Sequence, residues 1–382
     1  MDKPKIIRAC TVPQSLGFVK GMLSDLQEEY EVVLLSSSGP EWKEIRQSYS
    51  DVKCIELNME RHISLVKDIK SLWQMWRTFH KEKPRMVHSM TPKAGLLCMV
   101  AAWMAGVPVR VHTFTGLLFP TTVGLKRKIL MATDWITCAC ATYIIPEGEG
   151  VKNDLLNNDI TKKPIKVLGY GSCRGIDLTQ FDKTSEVMEQ AAQLRKDGIC
   201  TFIAVGRLVG DKGINELVEA FVKLNKENND TRLILVGCYE DNLDPLKIET
   251  HNLIESCDAI EYVGQQSDVR PWFAASDVAV LASYREGFPN VVIEAGAMGL
   301  PQIVTDINGA REIIIEGENG IIVPSKSVIA LYDAMRCMLN VNYRYLLAVN
   351  ARRLIASRYE QSFVRHCLYD FYDKILNKNF ND

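Results

Sequence analysis

The chain carries the stretch TFIAVGRLVGDKGINELVEAF at residues 201–221. Its first five residues are mostly apolar, and a turn with Arg207 and Lys212 separates them from an amphipathic run that begins at Ile214. A short apolar run bounded by glycine is typical of a buried β-strand, whereas apolar residues spaced three to four apart predict a helix. The stretch therefore predicts a strand, a turn and a helix, which is the repeating unit of a parallel α/β sheet.

The same alternation extends along the chain on both sides of this stretch. The apolar runs are IIRA (6–9), VVLL (32–35), MVHS (86–89), VRVHT (109–113), YII (143–145), TFIAVG (201–206), LILVG (233–237), IEYVG (260–264), VAVLA (278–282), QIVT (302–305) and IIV (321–323). The glycine-rich stretch 165–181 and a charged helical pattern at 185–196 interrupt the alternation. We therefore predict an α/β fold of two doubly wound, Rossmann-like domains that face each other across a cleft.

The predicted domain boundaries follow from that interruption and from the end of the chain. Residues 1–172 form the first domain, and residues 173–360 form the second. The stretch 343–376 is helical without a strand, and a terminal helix over 361–382 is expected to return to the first domain.

Composition excludes several classes of protein. The chain has 382 residues, of which 47% are hydrophobic and 24% charged, so it is neither disordered nor collagen-like. A net charge of −2 argues against nucleic-acid binding driven by overall charge. The N-terminal MDKPKIIRAC does not resemble a signal peptide, and the uncharged stretch 94–109 is too short to span a bilayer, so we expect a cytoplasmic protein.

The eleven cysteines are scattered and lie mostly in apolar surroundings, so we expect reduced thiols. Cys138 and Cys140 are two apart in ITCACATYI, a spacing that would place both on one face of a strand. No second Cys or His pair accompanies them at metal spacing, so no zinc site is expected.

Arg207 and Lys212 bracket the turn after the strand TFIAV. Ligands of open parallel sheets bind beyond the carboxyl ends of the strands. Glycines allow close approach of the backbone, the following helix offers free N–H groups, and two cations add charge, which together favour a diphosphate site. The alternative is that Arg207 pairs with a surface carboxylate and Lys212 is solvated.

The stretch SYREGFPNVVIEAGAMGLP (283–301) follows the strand VAVLA and adds two carboxylates. Pro289 and Asn290 suit the first turn of a helix that ends before Gly299. Glu294 interrupts the apolar series of that helix, and a ribose diol could satisfy a carboxylate there. Glu286 precedes the turn and could face the same ligand. The alternatives are a helix-dipole role for Glu294 and a solvated loop acid at Glu286.

Two further patterns limit the chemistry. Gly169, Gly171 and Gly175 nearly match the dinucleotide fingerprint, but the spacing is one residue too long and no helix follows, so an interdomain hinge is favoured over a nicotinamide site. No Asp-x-Asp occurs in the chain, so a metal-bound nucleotide is not expected, and no cofactor is predicted.

With these residues in place, the sequence resembles the retaining glycosyltransferases of family 4, which have the GT-B fold, over nearly the whole chain. The E-x7-E motif of that family corresponds to Glu286 and Glu294, and GRLVGDKG (206–213) supplies the Arg/Lys pair. The stretches VHSMTPKAG (87–95), VRVHTFTGLLF (109–119) and LGYGSCRGID (168–177) look like the bacterial branch that builds capsular and other surface polysaccharides.

The resemblance implies that residues 1–172 form the acceptor side and that residues 173–360 bind the nucleotide sugar, and it implies a role for each motif residue. Glu294 holds the nucleotide ribose, and Arg207 and Lys212 neutralise the diphosphate. The donor sugar is held by Glu286 and the loop that follows it, namely Gly287, Phe288, Pro289 and Asn290, and the donor site further includes Gly17 and Val263. Many members carry a catalytic-side histidine at a position that falls on Thr115 here, with His112 three residues upstream, so both are candidates beside Glu286.

The function predicted on this basis is metal-independent, retaining transfer of a sugar from a nucleotide-diphosphate donor, a UDP-sugar, to a saccharide on a polyprenyl-diphosphate lipid. Nucleic acid is not an expected partner. Two alternatives stay open: a nucleotide-sugar epimerase or phosphorylase on a similar scaffold, and a non-catalytic nucleotide-sugar-binding partner subunit.

One segment predicts contact with an anionic membrane surface on the inner face of the cytoplasmic membrane. TGLLFPTTVGLKRKILM (115–131) combines Leu117, Leu118 and Phe119 with a basic cluster at 126–128, namely Lys126, Arg127 and Lys128. The alternative is that 117–119 enter the core and the cations begin an ordinary solvated helix.

Overall fold

The structure is a computed structural model, and it describes residues 3–59, 64–240, 242 and 244–378. The chain divides into two compact units: Met1–Arg174 with Val364–Asp382, and Gly175–Phe363. The predicted boundaries at 172/173 and 360/361 lie two and three residues from these divisions. The last four residues of the predicted C-terminal helix, 379–382, lie outside the described residues.

The first unit contains a six-stranded parallel sheet with the order β3-β2-β1-β4-β5-β6. Its strands are β1 (Lys5–Ala9), β2 (Glu31–Ser36), β3 (Lys53–Glu56), β4 (Met86–Met90), β5 (Val109–Phe114) and β6 (Tyr143–Pro146). Its helices are α1 (Gly17–Lys20), α2 (Leu23–Glu29), α3 (Glu41–Ser48), α4 (Leu65–Glu82), α5 (Pro92–Met104), α6 (Gly124–Cys140) and α7 (Glu149–Asn157), with short 3-10 helices at Pro13–Leu16 and Phe119–Thr121.

Helices cover both faces of this sheet, because successive residues of a strand point to opposite sides. Ile7 of β1 belongs to a core shared with α4, α5, α6 and α7, whereas its neighbour Ile6 belongs to a core shared with α2 and α3. The helix α5 is apolar nearly all round and largely buried from Ala94 to Ala102, as expected for a helix with neighbours on both sides, whereas Trp103 and Met104 at its end are exposed.

The second unit repeats the architecture, with the sheet order β12-β11-β10-β7-β8-β9. Its strands are β7 (Cys200–Val205), β8 (Thr231–Val236), β9 (Ile260–Tyr262), β10 (Val278–Leu281), β11 (Gln302–Thr305) and β12 (Gly320–Val323). Its helices are α8 (Ser185–Leu194), α9 (Ile214–Glu227), α10 (Ile248–Ser256), α11 (Arg270–Ala274), α12 (Asn290–Ala297), α13 (Ala310–Ile313), α14 (Val328–Cys337) and α15 (Val341–Tyr359), with a 3-10 helix at Gly210–Lys212.

The last helix, α16 (Gln361–Lys378), confirms the predicted return to the first domain. Its Tyr372 is fully buried in the core on the α2 and α3 side of the first sheet. Arg8 of β1 donates a hydrogen bond from Nη1 to the Tyr372 hydroxyl at 2.6 Å, and Tyr30 donates to Asp373 at 3.1 Å. These contacts attach the end of the chain to its beginning.

Two details differ from the sequence prediction. Cys138 and Cys140 lie in α6 and not in a strand, because the 3.6-residue periodicity of LKRKILMATDWITCAC continues to the end of that segment. Residues two apart on a helix do not share a face, and only Cys138 is buried. The edge strand β3 was not predicted, because its KCIE sequence is half polar and only partly buried.

Candidate active site

The strand order of the second unit defines where a ligand can bind. The strand β7 lies between β10 and β8, so the chain leaves β7 in one direction and returns to its other side later. Open α/β sheets bind ligands at such a switch point, beyond the carboxyl ends of the strands. The segments that follow β7 and β10 carry Arg207, Lys212 and the E-x7-E motif.

The turn after β7 is built around Gly213. This glycine ends the 3-10 helix Gly210–Lys212 with φ +66° and starts α9. A Cβ at this position would lie 2.1 Å from the carbonyl oxygen of Ala282, at the end of β10. The left-handed backbone and the close approach both require glycine here, and they bring the loops after β7 and β10 into contact.

Lys212 and Glu286 meet at this contact. The Lys212 ammonium donates a hydrogen bond to Glu286 Oε1, and the Ser283 hydroxyl donates to the same oxygen at 2.9 Å. The side chains of Lys212 and Glu286 are 22% and 17% exposed, so the pair is accessible but largely desolvated. Residues 74 apart in sequence therefore form one charged centre at the strand ends.

Two further side-chain hydrogen bonds connect the segments that follow β7 and β10, and neither was predicted from the sequence. Arg285 donates from Nη2 to Asp211 at 2.9 Å, and the Tyr284 hydroxyl donates to Glu216 at 2.7 Å. The Tyr284 amide also donates to the Asp211 carbonyl at 2.8 Å. The signal that could have found them is the polar run SYRE directly after an apolar strand, since such residues face the strand-end crevice.

Arg207 pairs with an acid from the neighbouring strand. It donates from Nη1 to Glu240, beyond the end of β8, at 2.6 Å. The Arg207 side chain is 48% exposed. Of the alternatives raised by the sequence, the carboxylate partner of Arg207 is therefore present, whereas Lys212 is paired and not simply solvated.

The helix α12 presents its N-terminus at the same end of the sheet. It begins at Asn290 without a side-chain cap, so the positive end of the helix dipole is available to an anion. Glu294, one turn further on, is half-buried among fully buried neighbours. This is the environment that the sequence predicted for that carboxylate.

In the loop between Glu286 and α12, each of the three positions is buried or lacks a side chain, so a ligand would contact the backbone more than the side chains. Phe288 is buried in the core and packs edge-on against Tyr359, with ring centroids 5.6 Å apart. Pro289 is buried and has no N–H to donate. Gly309 packs so closely on this loop that a Cβ there would lie 2.6 Å from the Gly287 carbonyl oxygen. The packing of Phe288 and Gly309 thus limits movement of this loop.

Val263 follows β9 at the same edge of the sheet. It is half-buried, its amide donates to the Leu235 carbonyl at 3.1 Å, and its carbonyl accepts a hydrogen bond from Gln266 at 2.6 Å. Its backbone is therefore held by the two neighbouring segments.

The remaining predicted site residues belong to the first unit. Gly17 is exposed with helical φ −53°, and a Cβ there would meet nothing within 4 Å, so its backbone does not require glycine. Thr115 directly follows β5 and is partly exposed. His112 is only 1% exposed: its ring bonds the Ser89 hydroxyl at 2.9 Å and packs on Gly95 of α5. Burial lowers the pKa of His112 to about 3. These surroundings give His112 a packing role.

The predicted membrane segment is divided between core and surface. Phe119 is fully buried and Leu117 is partly buried, so these two side chains belong to the core, while Leu118 is exposed. Arg127 lies 5.7 Å from the Phe119 ring and donates to Asn158 at 2.8 Å. Lys126 and Lys128 are exposed on α6.

No described helix combines the length and the hydropathy needed to cross a membrane. Within the same ranges, no group of three or more His, Cys, Asp or Glu side chains is placed to hold a metal ion.

Comparison with known proteins identifies the family. Residues 18–171 match the family described as "Glycosyl transferase 4-like domain", and residues 200–341 match "Glycosyl transferases group 1". The chain is 30% identical over 390 residues to the "Capsular polysaccharide biosynthesis glycosyltransferase CapM" of Staphylococcus aureus, with 99% of each chain covered. It is 29% identical to the "UDP-Gal:alpha-D-GlcNAc-diphosphoundecaprenol alpha-1,3-galactosyltransferase" of Escherichia coli, with 83% of each covered.

A solved structure gives the same architecture. HepE of Anabaena, crystallised in complex with UDP, matches 97% of this chain and 100% of its own with a TM-score of 0.79 at 17% identity, which shows the fold. The chain belongs to the group 1 glycosyltransferases, family 4, and has the GT-B fold.

Proposed function

We propose that the protein transfers a sugar, with retention of anomeric configuration, from a UDP-sugar to a saccharide carried on a polyprenyl diphosphate during assembly of a surface polysaccharide. The observation that carries the proposal is the Lys212–Glu286 pair at the switch point of the second sheet. A cation and a carboxylate in contact there suit a donor whose diphosphate and sugar are adjacent.

Each donor group has a matching partner in the second unit. Arg207 and Lys212 neutralise the diphosphate, together with the N-terminus of α12. Glu294 accepts hydrogen bonds from the ribose hydroxyls, and Val263 lines the nucleotide side of the same edge. Glu286 and the amides of the loop that precedes α12 position the donor sugar. Gly17 and Thr115 of the first unit remain proposed site residues, and His112, which is buried, would contribute by positioning the end of β5.

The acceptor class is supported by the relatives. The E. coli relative is named for a saccharide on diphosphoundecaprenol, and the S. aureus relative for capsular polysaccharide biosynthesis. A lipid-linked acceptor requires a protein that works at a membrane surface, here the inner face of the cytoplasmic membrane. Since Arg207, Lys212 and a helix terminus supply positive charge, the proposed reaction needs no metal.

The test uses the purified full chain, a panel of UDP-sugars and lipids extracted from bacterial membranes. Wild-type protein should attach labelled sugar to a lipid product. Glu286→Gln should lose most of this turnover without weakening UDP binding, measured by calorimetry, because the substituted group faces the sugar and its loss of charge leaves Lys212 free for the diphosphate. Glu255→Gln, an exposed acid on α10, is the matched control and should behave as wild type.

Other products would overturn the proposal. An isomerised nucleotide sugar formed without lipid would indicate an epimerase, and a sugar 1-phosphate formed with inorganic phosphate would indicate a phosphorylase. Nucleotide binding without turnover on any donor and acceptor would indicate a non-catalytic subunit. Wild-type turnover by Glu286→Gln would remove Glu286 from the site.

A further inference from the structure

Three helices of the first unit turn their outer sides in a common direction. Buried side chains of α4, α5 and α6 all pack in the same core, on one face of the sheet. The sides of these helices that point away from the sheet therefore form one surface, which we call the outer helix face. It lies in the first unit, apart from the strand-end residues described above.

The outer helix face exposes large apolar side chains that no described residue covers. The most exposed are Val66, Ile69 and Trp73 on α4, Trp103 and Met104 on α5, and Leu125, Ile129, Trp135 and Ile136 on α6. Many large exposed apolar side chains on one surface are typical of a contact with a partner or a membrane.

Tryptophan is concentrated on this surface. The chain has six tryptophans, and Trp73, Trp103 and Trp135 are 53%, 60% and 56% exposed. The helices run parallel to one another because each precedes a strand of the same parallel sheet. Trp73 lies eight residues after the start of α4, and the other two lie eleven residues after the starts of α5 and α6. At about 1.5 Å per residue, the three tryptophans lie about 12, 16 and 16 Å from the starts of their helices.

The charge of the surface has one sign. The exposed cations of α4 and α6 are Lys67, Lys70, Arg77, Lys81, Lys126 and Lys128. The acids of the same helices are not exposed: Asp68 pairs with Lys93 at 2.6 Å, and Glu82 pairs with Lys53 at 2.7 Å. Asp134 is half-buried, and burial raises its pKa to about 7. A chain with a net charge of −2 thus presents cations without exposed carboxylates on these two helices.

A depression on α4 joins the apolar and cationic features. It has a volume of about 680 Å³ and is lined by Leu57, Trp73, Trp76, Arg77, His80 and Lys81, among others. The Arg77 guanidinium lies over the Trp73 ring, 4.7 Å from its centroid. Indoles beside guanidinium and ammonium groups suit a phosphate headgroup whose acyl chain continues into an apolar layer.

We propose that the outer helix face is the surface with which this protein lies on an anionic lipid bilayer. Tryptophan prefers the interface between headgroups and acyl chains, and exposed lysines are attracted by anionic lipid. A second copy of the chain is the wrong occupant, because a symmetric contact through this face would oppose cation to cation. The contact extends the proposed function, which places the acceptor on a lipid, but its test requires neither donor nor turnover.

The first test is flotation of the full chain with vesicles of phosphatidylglycerol and phosphatidylethanolamine, and with phosphatidylcholine vesicles for comparison. We expect binding to the anionic vesicles at low salt, weaker binding at high salt, and little binding to phosphatidylcholine. A protein that stays off anionic vesicles at low salt, or that binds both kinds equally, would overturn the proposal.

The second test removes the charges. The variant is Lys67→Ser, Lys70→Ser, Lys126→Ser and Lys128→Ser combined, and the matched control is Lys196→Ser, Lys226→Ser, Lys247→Ser and Arg353→Ser, all exposed in the second unit. Each cation near an anionic surface is worth about 1 kcal/mol, or roughly fivefold. The first variant should therefore lose at least 100-fold in vesicle affinity, and the control less than tenfold. Equal losses would contradict the assignment.

The third test reads the position of the indoles. Brominated lipids should quench the tryptophan emission of the bound wild type. The quenching should fall strongly in the variant Trp73→Phe, Trp103→Phe and Trp135→Phe, and the part that remains should come from Trp76, which lines the same depression and is only partly buried. Undiminished quenching would place the contact elsewhere.

Binding and folding controls complete the design. Tyr345→Ser, Leu346→Ser and Val349→Ser remove comparably exposed apolar groups from α15 and should bind vesicles as wild type does. All variants should keep wild-type UDP affinity, which reports on the second unit and separates a failed membrane contact from a failed donor assignment. A stable dimer that the tryptophan substitutions dissociate would identify a second copy as the true occupant and overturn the proposal.

Discussion

A single methyl group at Gly213 should disturb the donor site without removing any of its functional groups. Gly213 has φ +66°, and an added Cβ would lie 2.1 Å from the Ala282 carbonyl oxygen. The left-handed conformation costs an L-residue about 1–2 kcal/mol. The clash forces the two loops apart by about 1 Å, since ordinary carbon–oxygen contacts lie near 3.3 Å, and such overpacking costs a further 1–3 kcal/mol or so.

The displacement falls on the loop that carries Lys212. The 2.8 Å hydrogen bond from the Tyr284 amide to the Asp211 carbonyl would lengthen, and Lys212 would shift relative to Glu286. Loss of one well-placed charge-assisted hydrogen bond is worth about 1.5–3 kcal/mol, or roughly 10- to 150-fold in affinity. We expect Gly213→Ala to weaken UDP binding by at least tenfold.

Gly198→Ala is the matched control, because it carries the backbone cost without the clash. Gly198 has φ +76°, and a Cβ there would meet nothing within 4 Å. This variant should lower the melting temperature by roughly 2–6 °C and leave UDP affinity unchanged. Calorimetry with UDP and thermal unfolding of both variants provide the comparison. Wild-type UDP affinity in Gly213→Ala, or equal stability losses in the two variants, would refute the reasoning.

Three further predictions concern the donor site, metals and acid stability. Arg207→Ala and Glu294→Ala should each weaken UDP binding roughly 10- to 150-fold, and calorimetry that finds both unchanged would contradict their assignment. Turnover should persist in excess EDTA, whereas loss on chelation that manganese restores would show a metal requirement. Burial lowers the pKa of His112 to about 3, whereas its pKa in the unfolded chain is near 6.5. The contribution of neutral His112 to the free energy of unfolding is therefore complete above about pH 6.5, and below that pH it falls by about 1.4 kcal/mol per pH unit. His112→Asn should flatten that decline in urea unfolding between pH 5 and 7.5, and an unchanged slope would argue against it.

Most of the sheet could be predicted because its strands are buried on both faces and are therefore continuous apolar runs. The run TFIAV becomes β7 and VAVLA becomes β10, each followed by the predicted turn and helix. The exceptions have separate causes. The edge strand β3 is half exposed, and Cys138 and Cys140 lie near the end of a helix whose preceding residues set its period.

The chemistry of the site could be predicted by residue type but not by partner. Arg207, Lys212 and Glu286 were recognisable because they follow apolar strands at the edge where ligands bind. Their partners could not be predicted, because Arg207 pairs with Glu240, 33 positions away in sequence, and Lys212 pairs with Glu286, 74 positions away. The burial of His112 could not be read from its place within the run VRVHT either, because it depends on Gly95 of the neighbouring helix leaving room for the ring.

These pairings also set the scale of the donor affinity. Both cations that would meet a diphosphate already have carboxylate partners, Glu240 for Arg207 and Glu286 for Lys212. Binding a diphosphate is then an exchange of one anionic partner for another and not the capture of two free charges. The net binding free energy from such an exchange is the difference between two ion-pair energies. In partly exposed surroundings this difference is smaller than the energy of either ion pair. Removing one cation costs more than this small difference, because it takes away a charge-assisted hydrogen bond and leaves a carboxylate unpaired beside the diphosphate. The helix terminus at Asn290, which has no side-chain cap, adds attraction for the anion.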